Sequence, residues 1–156
     1  MSVDVLNESG VEVDVKALTS LCRFVLRRMR LHPQTEVSLR LVEPDTIAVL
    51  NETWMGKKGP TDVLSFPMDE LSPGRPGAEP PEGYLGDIAL CPQVAEQQAP
   101  AAGHSMHDEI ELLTVHGLLH LMGYDHAEPE EHAEMFGIQG RLLVDWSATR
   151  DGSPVE

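Results

Sequence analysis

The sequence predicts a single α+β domain in which a mixed sheet of about four strands packs with five or six helices, one of them buried at the centre. The chain has 156 residues, 41% of them hydrophobic, which is the size and composition of one ordinary globular domain. Four short segments with strand character are interleaved with segments of helical periodicity. There is no internal repeat and no long linker, so we expect one domain at 1–148 and a frayed tail at 149–156.

The first part of the chain alternates strands with an amphipathic helix. Residues 2–7 alternate apolar and polar side chains at first, which predicts an opening strand. Asp14 is suited to cap a helix that runs to about Arg30. The apolar residues on the inner face of this helix would be Val15, Leu18, Leu21, Cys22, Val25, Leu26 and Met29. A second strand is predicted at 37–42, where apolar residues recur at every second position.

Prolines and loops organise the middle of the chain. Pro44 opens a short helix through about Trp54, and its inward residues would be Ile47, Leu50 and Trp54. The following elements are a turn-rich loop at 55–61, a strand at 62–66, a surface loop rich in proline, glycine and glutamate at 69–83, a strand at 84–90 and a short helix from Pro92 to about Gln98. We expect that helix to stop there, because Pro100 and Gly103 disfavour a helix interior.

Two helices complete the predicted domain. Ser105 followed by Asp108 resembles a capping box, so a helix should begin near His107. The segment 110–122 carries apolar residues on every side, which is typical of a buried helix. Acidic residues at 128–131 favour the start of a last helix that reaches about Trp146, because the helix dipole attracts them. Its apolar residues are Met135, Phe136, Ile138, Leu142 and Leu143.

Three histidines in the buried helix and after it indicate a metal site. His116 and His120 lie four residues apart, so on a helix they would stand about 40° apart on one face. Gly123 can end the helix in a left-handed turn and return the chain, so that His126 approaches the other two. Three neutral imidazoles leave one coordination position open, which is the arrangement of a catalytic zinc site and not of a structural one.

A histidine in an apolar helix is more often a core residue than a metal ligand. Here three histidines occur at ligand spacing, with a glycine between the second and the third. Two imidazoles without partners in a buried helix would cost several kcal/mol of lost hydration. A bound ion removes that cost, so the sequence favours a catalytic metal site.

Composition sets further expectations. The formal net charge is −15, and residues 101–156 hold 11 of the 26 acidic residues but only two of the 11 basic ones, so the chain lacks the basic surface typical of nucleic-acid binders. The basic residues that cluster in the sequence are Arg23, Arg27, Arg28, Arg30 and Arg40, and a solvated helix face explains most of them more simply than a binding patch does.

No segment has the roughly 20 apolar residues needed to span a membrane. Residues 1–10 do not resemble a signal peptide, and Cys22 and Cys91 are too few for a disulfide framework, so we expect a cytoplasmic protein.

A metalloprotease is the alternative that the spacing of the histidines raises first. The pattern HxxxHxxGxxH is also that of the metzincin proteases, which need a glutamate directly after the first histidine as general base. That position is Gly117 in this sequence. Glycine cannot accept a proton, so protease activity becomes the second choice.

The sequence closely resembles the YbeY family of bacterial endoribonucleases. The stretches that carry the resemblance are PTDVLSFP at 60–67, LGDI at 85–88 and HGLLHLMGYDH at 116–126. The resemblance implies one zinc ion held by His116, His120 and His126. It also implies a single-strand-specific endoribonuclease that acts in 16S rRNA 3′-end maturation and ribosome quality control. The implied partners are rRNA and the small ribosomal subunit, together with ribosomal proteins or a ribosome-associated GTPase.

One departure from the family pattern concerns the phosphate. Many members carry an arginine before the PTD stretch, and Met55 occupies that position here. Lys57 or Lys58 is the candidate for the missing positive charge, because a phosphodiester transition state needs nearby cations. The acidic composition and Met55 also leave a non-catalytic ribosome-associated factor as an alternative.

The remaining polar residues of this region are weaker candidates. Asp125 can orient a metal-binding histidine, although capping the turn is an equal possibility for it. We expect His104, His107 and His132 to be solvent-facing or capping residues and not ligands.

Overall fold

The structure of the chain, a computed structural model, describes residues 1–150 and only the backbone of Arg150. It contains four strands and five α-helices over this range. In chain order these are β1 (Ser2–Asn7), α1 (Val15–Arg28), β2 (Glu36–Leu41), α2 (Pro44–Leu50), β3 (Val63–Pro67), β4 (Tyr84–Leu90), α3 (Pro92–Ala102), α4 (Met106–Leu121) and α5 (Pro129–Arg150). One π-helical turn, Asn51–Met55, continues α2 and ends at Gly56 in a left-handed conformation with φ +68°. The predicted α+β class and helix number are confirmed.

The four strands form one mixed sheet in the order β1-β2-β4-β3. The first three of these run parallel, and β3 pairs antiparallel with β4 at the edge. Ile88 of β4 lies opposite Leu39 of β2 on one side and Ser65 of β3 on the other. One consequence is that the PTDVLSFP stretch lies on an edge strand, where its side chains can border a cavity.

The buried central helix is α4, which contacts α1, α3, α5, β3 and β4. The side chain of Ser105 accepts a hydrogen bond of 3.1 Å from the N–H of Asp108, so the predicted cap is confirmed and the helix begins one residue earlier than expected. Leucine and isoleucine side chains of α4 join the main core, where Ile110, Leu118 and Leu119 are at most 1% exposed. Burial of these side chains, at roughly 2 kcal/mol each, holds the helix against the sheet.

The ends of two helices differ from the prediction. α3 continues past Gln98 and Pro100 to Ala102, because Ala99 is buried and Gly103, with φ +78°, supplies the left-handed cap. α5 continues past Trp146 to Arg150, and the hydroxyl of Thr149 donates to the carbonyl of Asp145 at 3.1 Å. Thr149 therefore belongs to the helix. The rest of the predicted tail, 151–156, lies outside the described residues. The division at residue 148 stays a prediction.

Several inward-facing residues were also predicted wrongly. Trp54 is 67% exposed, and its ring packs edge-on against Phe66, 6.5 Å away, on the outer face of the sheet. Phe136 is 37% exposed at the rim of a cavity. Phe24, which periodicity alone did not select, is buried against Trp146 with ring centroids 5.5 Å apart. In each case the presence or absence of a covering element, which local periodicity does not show, decides the burial.

Candidate metal site

The end of α4 brings the three predicted histidines together. Gly123 has φ +98°, and its N–H donates to the carbonyl of His120 at 3.0 Å while the N–H of Tyr124 donates to Leu119 at 3.1 Å. This left-handed ending turns the chain back as the sequence predicted. The ring of His126 then lies 5.4 Å from the ring of His116 and 5.2 Å from that of His120, measured between centroids.

The nitrogen atoms of the three rings converge. One nitrogen from each histidine lies within 4.8 Å of the other two, and the Nε2 atoms of His116 and His120 are 3.1 Å apart. Two nitrogens bound to one tetrahedral zinc at about 2.0–2.1 Å would be about 3.3 Å apart. The donor set and its spacing therefore fit a single transition-metal ion.

The two helical histidines favour the uncharged form that binds metal. Burial lowers the pKa of His116 below its ordinary value of 6.5, and the nearby His126 lowers it further. Burial also lowers the pKa of His120, with additional lowering from the two other rings. Both side chains therefore present a free nitrogen lone pair at neutral pH without first losing a proton.

The first contacts around the triad are polar and specific. The side-chain oxygen of Gln139, on α5, lies 3.0 Å from Nδ1 of His116. Asp125 accepts a hydrogen bond of 2.7 Å from the backbone N–H of His126, so its carboxylate caps the turn. Of the two roles predicted for Asp125, this contact supports the capping role.

The triad lines a cavity of about 620 Å³ between α4 and the edge strand β3. Besides the three histidines, the cavity is lined by Met55, Asp62, Val63, Leu64, Ser65, Pro67, Glu109, Leu112, Leu113 and Phe136. None of these described residues is a lysine or an arginine. Met55 is 42% exposed at the cavity, whereas Lys57 and Lys58 lie on the exposed loop beyond it. A role for either lysine at the phosphate stays a prediction.

A buried acidic residue stands two helical turns before His116. Glu109 is 6% exposed, and its Oε1 lies 2.5 Å from Nε2 of His104. The side-chain nitrogen of Gln98 can donate to both acidic residues of this region. With the amide oriented for this, it lies 3.0 Å from a carboxylate oxygen of Glu109 and 3.3 Å from one of Asp62. His104 is therefore a half-buried partner of a carboxylate, and the prediction that it is solvent-facing or capping is wrong.

The two other histidines stay outside the triad. His107 is exposed at the start of α4. His132 is also exposed and stacks on Phe136, with centroids 4.3 Å apart and planes 19° apart. Its ring is 6.4 Å from the ring of His126, but it is not among the histidines whose nitrogens converge.

Sequence reasoning did not select Gln139, Glu109 or Ser65. Gln139 carries a weak signal, because it is a polar residue at a position where the periodicity of α5 calls for an apolar one. Glu109 carries the same signal at the start of the apolar helix α4. The hydroxyl of Ser65 donates to the carbonyl of Gly117 at 3.1 Å, a contact between residues 52 positions apart that no local pattern predicts.

Comparison with known proteins decides the family. A family model described as Endoribonuclease YbeY matches residues 4–147. A protein named Endoribonuclease YbeY from a Nocardioides species is 62% identical over 148 residues, with 95% of this chain and 99% of that protein covered. The chain belongs to the endoribonuclease YbeY family. Another Endoribonuclease YbeY, from Thermobifida fusca, is 58% identical over 146 residues and is covered to 94%, as is this chain.

The YbeY fold is also found in a solved structure. The solution structure of a Thermotoga maritima protein superposes with a TM-score of 0.64 at 29% identity, covering 96% of this chain and 93% of that one. The resemblance inferred from the three sequence stretches is thus confirmed at the level of family and fold. None of the helices in residues 1–150 is long and apolar enough to cross a bilayer.

Proposed function

We propose that this chain is a zinc-dependent endoribonuclease that cuts single-stranded RNA and acts in 16S rRNA 3′-end maturation and ribosome quality control. The observation that carries the proposal is the convergence of His116, His120 and His126 in the wall of an open cavity. The relatives named above bear the name Endoribonuclease YbeY over nearly the whole chain. The proposed location is the cytoplasm, and the proposed partners are rRNA, the small ribosomal subunit, ribosomal proteins and a ribosome-associated GTPase.

Zinc is the proposed ion because three imidazoles in a tetrahedral arrangement suit it. When bound, such an ion supplies a water of lowered pKa and withdraws negative charge from a phosphoryl oxygen. The residues of the chain prepare the site. The lowered pKa values of His116 and His120 keep both rings neutral, and the turn capped by Asp125 holds the backbone of His126.

The form of the cavity supports a single-stranded substrate. Residues of α4 and of the edge strand β3 line it, and the apolar side chains of Leu112 and Val63 offer surface to an unpaired nucleotide. A single strand can bend its backbone into a concave site, whereas a duplex presents a regular and stiff surface. Asp62 and Glu109 place negative charge in the cavity wall, so the positive charge of an ion at the histidines would be needed to attract a phosphate.

One observation favours a second candidate function, a ribosome-associated factor without turnover. No lysine or arginine is found among the described residues of the cavity wall, and Met55 lines this wall at the position where many family members carry an arginine. Without a cation the transition-state charge rests on the metal alone.

The decisive experiment compares the wild-type protein with His120→Ala on a defined rRNA fragment, with zinc and with a chelator. We expect about one zinc per chain and metal-dependent cutting in the wild type, and neither of them in the variant. His107→Ala is the matched control, because His107 is an exposed histidine of the same helix and should change nothing. If His120→Ala cuts the fragment as fast as the wild type does, the cutting comes from a contaminating nuclease and the proposal is overturned. A zinc-loaded wild type that binds the small subunit without cutting would favour the second function.

A further inference from the structure

A buried glutamine interrupts the apolar stripe with which α5 packs on α4. The stripe consists of Met135, Gln139, Leu142 and Trp146, at helical spacings of four, three and four residues. The three apolar members are at most 7% exposed, and Gln139 is 4% exposed. A buried amide is destabilising unless its polar atoms are hydrogen-bonded, so a glutamine at this position requires a specific partner.

The partner of Gln139 is the first histidine of the triad. Its side-chain oxygen lies 3.0 Å from Nδ1 of His116, across the interface between the two helices. An amide oxygen can only accept a hydrogen bond, so this orientation of the Gln139 side chain places the proton on Nδ1 of His116. A neutral imidazole has one proton, which leaves Nε2 of this ring with a free lone pair.

That free nitrogen is the one that points into the metal site. Nε2 of His116 lies 3.1 Å from Nε2 of His120. A proton on Nε2 of His116 would point into the same space and block it as a metal donor. The hydrogen bond to Gln139 therefore selects the one neutral form of His116 that can bind an ion from this side.

We propose that Gln139 is a positioning residue that fixes the orientation and the tautomer of His116 for metal binding. This inference rests on the proposed metal site and adds to it a residue from a different helix. Gln139 acts through His116 and touches neither the ion nor the substrate. Because Gln139 belongs to α5, the packing of α5 on α4 becomes a condition for a competent His116.

The choice of variants separates the hydrogen bond from the packing. Gln139→Glu keeps an acceptor oxygen at the same distance from the backbone, and a carboxylate partner makes a ligating imidazole more basic. Gln139→Met keeps the length and the flexibility of the side chain and removes the acceptor. The control is Gln93→Met. Gln93 is a partly buried glutamine whose amide nitrogen donates to the carbonyl of Ser9, and it does not contact the triad.

The first measurement reads the tautomer of His116 in the metal-free protein by proton–nitrogen correlation NMR of the imidazole rings. We expect the proton on Nδ1 in the wild type, in Gln139→Glu and in Gln93→Met. In Gln139→Met we expect a mixture of both tautomers. The second measurement is zinc affinity by competition with a chelator, for which loss of such an outer contact typically costs about 10–100-fold.

The outcomes distinguish this inference from the proposed function. Zinc binding that is weakened in Gln139→Met and retained in Gln139→Glu, with the tautomers as expected, supports the inference. If the wild type and Gln139→Met bind zinc equally well, the proposed role of Gln139 is refuted and the proposed metal site is unaffected. A wild type that binds no zinc overturns the proposed function itself. If Gln139→Met does not fold, the Gln139→Glu variant still tests the inference. NMR that finds the His116 proton on Nε2 in that variant would refute it.

Discussion

Gly117 lies directly against Ile88 of the central strand β4. A Cβ atom placed on this glycine would be 3.2 Å from both Cδ1 and Cγ2 of Ile88 and 3.3 Å from the hydroxyl of Ser65. The position after the first histidine therefore faces the sheet and not the cavity. A glutamate there, where metzincins keep their general base, would have to enter a packed interface, so the side chain that a peptidase needs fits only if Ile88 and Ser65 move.

We expect Gly117→Glu to destabilise the protein by more than about 3 kcal/mol, because it buries a charged carboxylate between a helix and a sheet without a partner. Urea unfolding measures this loss. The matched control is Gly140→Glu, a glycine of α5 around which a Cβ atom meets nothing within 4 Å. A Gly117→Glu variant that folds as stably as the wild type and hydrolyses peptides would contradict this account of the site.

Met55 gives the second prediction. Its side chain lines the cavity that contains the triad, and no described cavity residue carries a positive charge. We expect Met55→Arg to raise kcat/KM for RNA cleavage roughly tenfold, because a cation at this place stabilises charge that develops on the phosphate. Thr53→Arg is the control, because it adds the same charge at an exposed residue that does not line the cavity. It should raise kcat/KM much less than Met55→Arg does. Equal gains in both variants would mean that only long-range attraction of RNA had increased.

The metal-free protein should lose stability on acidification. Burial lowers the pKa values of His116 and His120 below 6.5 in the folded chain, so the unfolded chain binds more protons in that range. Stability then rises with pH through the window below 6.5 and falls as pH is lowered. Urea midpoints measured with chelator from about pH 7.5 to about pH 5.5 should decrease. The decrease should be smaller in a His116→Gln, His120→Gln double variant. An identical decrease in both proteins would assign it to other groups.

Cys22 should be inert while the protein is folded. Burial raises the pKa of its thiol from 9.0 to about 12, so almost no thiolate forms near neutral pH. Iodoacetamide should modify Cys22 only after denaturation, as mass spectrometry can show. The folded chain also retains this proton where the unfolded chain loses it, so stability should fall as pH rises above 9. Cys22→Ala should reduce that alkaline loss, and an unchanged loss would show that the thiol does not contribute.

The local sequence predicts those parts of the structure that depend on neighbouring residues. His116 and His120 share a helix face, and the glycine after them ends that helix, so helical spacing and one backbone preference were enough to predict their convergence with His126. The strands were also predictable, because the pattern of apolar and polar side chains that indicates a strand needs only a few adjacent residues.

Contacts between distant parts of the chain were not predictable in the same way. Gln139 meets His116 across 23 positions, and the position of β4 between β2 and β3 depends on packing that no single segment contains. The continuation of α3 through Pro100 has a related cause, since the buried Ala99 and the cap at Gly103 outweigh the local cost of the proline. Trp54 shows the reverse case, in which an apolar residue with helical spacing has no core beneath it.

The left-handed ending at Gly123 divides the triad between two kinds of backbone. His116 and His120 stand on a helix that the core holds rigid, whereas His126 follows a short turn and is exposed. An ion held by all three histidines would tie this turn to α4. The segment that leads into α5 would then be the part of the site whose order responds most to the ion, because the other two ligands are already fixed by the helix.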